Sequence, residues 1–201
     1  MKRNLKTTIL LLLIFCILFN SYAFAETLEG DYDEPTHIAL QIDNTDYMIF
    51  HGQPMIRPLD SSDSSVKPFI HEGRTMLPMR AISEILNFDG PFYYGVEWFG
   101  SEEKAILYLR DASDPSYYEP IADFWIGSTT ATFYDFDGNP SSVEIPGAPM
   151  IVNSRTYLPL RAVSEAIGIN IEWVPSKQGV VLYFWDRPQN VFFPDKSRIA
   201  F

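Results

Sequence analysis

The chain has 201 residues, 46% of them hydrophobic and 15% aromatic, and its 15 basic and 26 acidic side chains give a formal net charge of −11. A field of that sign repels nucleic acid and anionic lipid, which argues against both as partners. The single cysteine, Cys16, precludes an internal disulfide, so stability must come from a packed core, for which this length suffices in one or two domains.

Residues 1–25 read as a secretory signal peptide. Lys2, Arg3 and Lys6 precede an apolar run over residues 9–19, and Ala23-Phe24-Ala25 follows as a cleavage pattern. The run is too short for a membrane span, which needs about 20 residues. Cleavage after Ala25 is expected, with retention as an N-terminal anchor the alternative, and no membrane span remains once it is removed. Cys16 lacks the preceding small residues that lipoprotein processing favours and goes with the leader. What remains carries 12 basic and 26 acidic residues, a formal charge of −14. Residues 26–36 form an acidic linker without period.

Two stretches then dominate: RTMLPMRAISEILN at 74–87 and RTYLPLRAVSEAIG at 155–168. An offset of 81 pairs Arg74 with Arg155, Pro78 with Pro159, Arg80 with Arg161 and Glu84 with Glu165. Past these segments the offset falls to 75, because six extra residues sit near 89–95, and Trp98 then pairs with Trp173.

Met79, Ile82 and Leu86, like Leu160, Val163 and Ile167, recur at i, i+3 and i+7, the spacing of one helix face. Pro78 and Pro159 stand at the helix starts, where a proline loses no hydrogen bond. Gly168 is placed to close the second helix in a left-handed conformation and Asn87 to do the same in the first. Strands are expected at 37–42, 47–50, 131–134 and 143–145 before the helices, and a hairpin after each, as in the alternation of Ile169, Ile171 and Trp173 followed by a turn at 175–179. The predicted architecture is α+β: two repeated β-β-α-β-β units, at 37–111 and 112–186, each an antiparallel sheet curled around a short helix. Residues 187–201 form a tail whose Val191-Phe192-Phe193 is a candidate edge strand or docking element.

The motif copies, with the later Glu-Trp pairs and apolar strands, resemble the copper amine oxidase N-terminal-like domain, also called the stalk domain, over roughly residues 37–186. The resemblance implies a secreted α+β module without oxidase activity. In that enzyme family the copper ligands and the tyrosine-derived quinone belong to a separate catalytic domain that nothing here matches. No cofactor is implied. The first copy departs from the pattern at Asn87-Phe88, where glycine is usual.

Arg74, Arg80, Arg155 and Arg161 suit anion binding, but Arg80 with Glu84 and Arg161 with Glu165 also form i, i+4 helix pairs, and the motif as a whole, with Pro78, Trp98, Pro159 and Trp173, reads as structural. Glu97 and Glu172 occupy equivalent strand positions beside tryptophans expected to be buried, which suits solvent-facing residues better than a glycosidase pair. His37, His51 and His71 lack metal-ligand spacing. Asp135-Phe-Asp137-Gly-Asn139 fails the calcium-loop register and fits a hairpin turn. Tyr93, Tyr94, Tyr117, Tyr118 and Trp125 fall in or near loops and are candidates for stacking on sugar rings. The expectation is therefore a non-catalytic, secreted binding or spacer module, associated with the cell surface, whose partner is a cell-wall glycan or another envelope protein. A carbohydrate-binding protein proper is the second reading and a small secreted hydrolase the third.

Overall fold

The computed structural model describes residues 37–87, 92–114, 116–184, 188 and 190–200. The signal peptide, the acidic linker and residues 88–91 of the insertion lie outside them. Residues 35–201 form one compact unit, α+β in class: antiparallel sheets and two short helices, α1 (Met79–Leu86) and α2 (Leu160–Ile167).

The motif that precedes each helix is itself a strand, which the helical period alone did not indicate. β4 (Phe69–His71) and β5 (Arg74–Pro78) form one hairpin, β11 (Met150–Val152) and β12 (Arg155–Pro159) another. Their two-residue turns, Glu72-Gly73 and Asn153-Ser154, have φ of 48° and 76° and of 49° and 62°. Positive φ at both central residues is the mirror-image turn that matches strand twist. β5 and β12 pair antiparallel with Leu77 facing Leu158, Met76 facing Pro159 and Pro78 facing Tyr157. Leu77 meets its own sequence counterpart, and the flanking pairs exchange about it, Met76 with the counterpart of Pro78 and Pro78 with that of Met76, which is a local twofold at the leucines, both 0% exposed.

Two five-stranded sheets flank this centre. One runs β6 (Phe92–Phe99), β7 (Lys104–Asp111), β8 (Glu119–Trp125), β9 (Thr130–Tyr134), β10 (Pro140–Glu144) in spatial order. The other runs β13 (Asn170–Val174), β14 (Gly179–Tyr183), β1 (His37–Gln41), β2 (Asp46–His51), β3 (Gln53–Pro58). The hairpin after α1 thus continues directly into the strands that lead to α2, while the hairpin after α2 returns to pair with β1. Five strands, β1–β5, precede α1, and past the β6–β7 hairpin five more, β8–β12, precede α2, in place of the strand-strand-helix order expected from sequence.

Corresponding backbone contacts recur in both sheets. Ile42 N donates to Gln178 O and Ile126 N to Glu103 O, both at 2.9 Å; Asp43 N reaches Pro68 O and Gly127 N reaches Pro149 O at 3.0 and 2.9 Å; Leu59 N reaches Thr45 O and Ile145 N reaches Thr129 O at 2.8 Å. The register gives matching ladders, Val180–Leu40–Tyr47 and Ala105–Phe124–Ala131, whose side chains line the core.

Both helices enter that core. Ala81, Ile82, Ile85 and Leu86 of α1 and Leu160, Ala162, Val163 and Ser164 of α2 are buried. Gly168 closes α2 at φ 73°, donating its N–H to Ser164 O. Asn87 departs from the expected role: its φ is −96°, and its side-chain amide instead brackets Tyr94, donating to Tyr94 O at 2.9 Å and accepting from Tyr94 N at 2.7 Å. The side chain does by hydrogen bonding what glycine does by conformation.

The tail docks. β15 (Asn190–Phe192) and β16 (Arg198–Ala200) pair, and Val191 and Phe193, both 0% exposed, cover Ala39, Met48, Val174 and Val181 on the outer side of the β1 sheet. Coverage on both faces explains why β1 is buried along its whole length instead of alternating. Asp195 clamps the tail: its N–H donates to Gln41 Oε1 at 3.1 Å, and its carboxylate accepts from Gln41 Nε2 at 3.2 Å and from Ser197 N at 2.9 Å. Burial pushes that carboxyl up, but the Ser197 hydroxyl and amide, Gln41 and Lys177 outweigh it and hold it down at about 2. A depressed carboxyl stabilises fully above its ordinary value of about 3.9 and loses the contribution as pH falls toward 2. Ser197→Ala should raise the Asp195 titration midpoint, followed by side-chain NMR; an unchanged midpoint would refute the clamp.

Candidate functional site

Two clefts open where a motif hairpin of one copy faces the helix start and post-helix strand of the other. The first, about 670 Å³, is lined by Ile70, Glu72 and Arg74 from the β4–β5 hairpin and by Pro159, Arg161 and Trp173 from the second copy. The second, about 540 Å³, is lined by Ile151, Asn153 and Arg155 from the β11–β12 hairpin and by Pro78, Arg80 and Trp98 from the first. At offsets of 81 and 75 these are the same positions, so the central twofold generates the clefts as a pair. The edge strands β13 and β6 roof them.

Their electrostatics differ. In the second cleft Arg155 pairs with Asp63, and Arg80 lies 3.9 Å from Asp60. Both carboxylates come from the 59–66 loop, anchored by Leu59 and Val66 at 0% and 3% exposure. Successive turns shape it: Asp60 accepts from Ser62 N at 2.8 Å and Asp63 from Ser65 N at 2.8 Å. The Ser62 hydroxyl, against a smaller opposing push from burial, holds the Asp60 carboxyl below its ordinary value, and Ser65 does the same for Asp63. Arg80 turns to Asp60 rather than closing an ion pair on Glu84, whose carboxyl is pushed up by burial and by the Asp60 charge.

The first cleft has no counterpart to this loop. Leu59 to Pro68 corresponds to the much shorter step from Ile145 to Pro149, and Pro146 stands where Asp60 does. Arg74 lies against that short connection, where Gly147 makes room: a Cβ there would sit 2.5 Å from Arg74 Cδ. Arg74 donates to Glu72 O at 2.9 Å, with the Glu72 carboxylate 3.7 Å away. Among the described residues no salt bridge engages Arg161, which is exposed.

Trp173 is 42% exposed, which corrects its expected burial. It follows Ile171 along one side of β13, but Ile171 still packs on the core while Trp173 lies beyond it, over the cleft. Trp98 packs partly against the core. Trp173→Ala should therefore cost about 1 kcal/mol, as for an ordinary substitution, rather than the roughly 3–5 of a buried aromatic; a thermal melt distinguishes the two. Of the carboxylates weighed as a pair, Glu97 is exposed on β6 and Glu172 half-buried on β13, in different sheets.

The five loop aromatics do not make one row. Tyr118, 40% exposed, lies 5.0 Å from Tyr108, and the Arg110 guanidinium sits 4.9 Å from the Tyr108 ring and 5.5 Å from the Tyr118 ring. Gly95 makes space for Tyr108, whose ring would meet a Cβ there at 2.2 Å. Tyr117, 38% exposed, donates its hydroxyl to Glu119. Tyr94 packs on the core and Tyr93 is half-buried on the same strand. Trp125 ends β8 with Lys104 Nζ 5.8 Å from its ring, and at roughly 3.3 Å per residue it stands about 23 Å along the chain from Tyr118.

His37 is buried and stacks on Phe50 at 5.0 Å, while His51 and His71 are exposed. Among the described residues no three His, Cys, Asp or Glu side chains gather as a metal-holding group, and no helix is long and apolar enough to cross a membrane. Asp135 accepts from Asp137 N and Asn139 N at 3.0 and 2.8 Å and turns the β9–β10 hairpin.

Sequence reading singled out the arginines and tryptophans of the clefts but not Ile70, Glu72, Asp60 or Asp63. The unequal connections 59–68 and 145–149 were the available signal. The family model described as copper amine oxidase N-terminal domain matches residues 59–182, a span that includes the lining of both clefts. Comparison with curated proteins and with solved structures gave no match.

Proposed function

This chain belongs to the copper amine oxidase N-terminal domain family, and on that premise we propose that it is a secreted binding or spacer module acting at the cell envelope. The family's module is non-catalytic, and the proposal extends that property to this protein. The observation that carries the reading is the pairing of β5 with β12: the repeated segment lies at the centre of one fold, with Leu77 against Leu158, as expected of two copies of one architectural unit. The leader with Ala23-Phe24-Ala25 supports secretion. Surface attachment would come through noncovalent contacts with a cell-wall glycan or an envelope protein.

A second reading, glycan binding proper, is favoured by the exposed Tyr117 and Tyr118 with Tyr108 and Arg110 beside them, since sugar rings stack on such surfaces. Incubating the secreted protein with purified cell-wall and envelope-protein fractions tests the main proposal. Retention by either fraction is the expected outcome, and recovery of all the protein in the unbound fraction from both would leave only a spacer. Loss of wall retention in Tyr118→Ala would favour the glycan reading.

A further inference from the structure

We propose that the first cleft is a receptor for an acidic peptide segment of a partner protein, and that the second cleft is the same receptor with its arginines already engaged by the chain's own 59–66 loop. The inference rests on the binding-module reading and names the partner chemistry. In the second cleft two guanidiniums, Arg155 and Arg80, face two carboxylates three residues apart, Asp63 and Asp60. The counterpart arginines, Arg74 and Arg161, line the first cleft together with Ile70 and Trp173, as Arg155 and Arg80 line the second with Ile151 and Trp98. The loop that would supply carboxylates there is missing, because Ile145 runs to Pro149 in a short step with Pro146 at the Asp60 position.

The geometry the chain uses to satisfy one pair of arginines is thus a template for what satisfies the other. That template is peptide, Asp-Ser-Ser-Asp in successive turns, which favours an acidic peptide over an acidic polysaccharide. Among the described residues Glu72 is the only carboxylate lining the first cleft, and its contact with Arg74 joins side chains 74% and 41% exposed. Exposed pairs of this kind are weak, so an incoming carboxylate with fixed spacing displaces Glu72. Trp173, 42% exposed, offers the apolar face that desolvates the contact.

The probe is the loop itself in trans: a fluorescent peptide of the sequence LDSSDSSV, residues 59–66, titrated against the full chain by anisotropy at low salt. Expected is saturable binding with a stoichiometry of one. Arg161→Ala and Arg74→Ala should each weaken it at least about tenfold, the loss of one charge-assisted contact, and a peptide with both aspartates changed to asparagine should not bind. Asp60→Asn with Asp63→Asn in the chain should raise the stoichiometry to two, and circular dichroism checks that this variant folds; a stoichiometry that stays at one in the folded variant overturns the loop's role as internal occupant. Absence of peptide binding, binding indifferent to Arg161, or Arg161-dependent capture of polygalacturonate in place of peptide overturns the receptor proposal. Envelope retention equal in wild type and Arg161→Ala would sink this proposal while sparing the module reading. Peptide binding without envelope retention would remove the envelope-binding role while sparing this proposal.

Discussion

Leu158→Ala is expected to destabilise the fold by about 2–5 kcal/mol, the range for a fully buried leucine whose surroundings cannot collapse into the cavity. The residue is 0% exposed and faces Leu77, also 0% exposed, at the twofold between β5 and β12. Helices pack on both strands, α2 following β12 directly and α1 following β5, so neither backbone is free to close the gap. Leu77→Ala should cost a similar amount. Because the two side chains share one site, their losses should not add, and the coupling in a double-mutant cycle should fall between about 0.5 and 3 kcal/mol. Urea unfolding of the four proteins measures it. Strict additivity would mean that the leucines occupy separate cores, and the central pairing would then be wrong. Ile70→Ala and Ile151→Ala, on the outer strands of the same sheet at 44% and 48% exposure, serve as controls that should change stability little.

The helices were legible because a period of 3.6 needs only local sequence to show itself: Ile82 and Leu86, like Leu160 and Val163, turn inward as their spacing requires. Gly168 was legible for the same local reason. The hairpins immediately before them were not, since the turns are Glu72-Gly73 and Asn153-Ser154 rather than the usual Asn-Gly, and β4 and β11 are only three residues long. Strand partners were not legible at all. Nothing in the pattern of β14 says that it returns across the chain to β1, because an apolar strand records burial and not the identity of its neighbour. Trp173 misled because alternation fixes the side of the strand a residue is on, while burial also depends on how far the core extends along it. The cleft pair follows from the duplication, but only once β5 and β12 are known to pair do residues from opposite copies come together.

Removing the Phe193 ring should cost about 3–5 kcal/mol, as for a buried aromatic, although it lies in the tail beyond the two repeated segments. Phe193 is 0% exposed over the β1 sheet, where the outward ladder is Val181–Ala39–Met48. The matching ladder of the other sheet is Ile106–Asp123–Thr132, two of whose three members are polar, and Asp123 lies 3.5 Å from Lys104 Nζ and accepts the Tyr134 hydroxyl at 3.2 Å. One sheet is built to be covered and the other carries its own polar surface. Gly179 marks the difference most sharply: a Cβ there would meet the Phe193 ring at 2.5 Å and Leu40 O at 2.7 Å, whereas Lys104 occupies the corresponding place in β7. Gly179→Ala should therefore dislodge the tail even with Phe193 intact, because the added Cβ would stand 2.5 Å from its ring, and the other close atom, Leu40 O, is backbone held in the β1 ladder. In both variants the dye anilinonaphthalene sulfonate should gain fluorescence as Ala39, Met48 and Val181 lose their cover. Wild-type melting and no dye response in Phe193→Ala would show that the tail rests on the sheet without stabilising it.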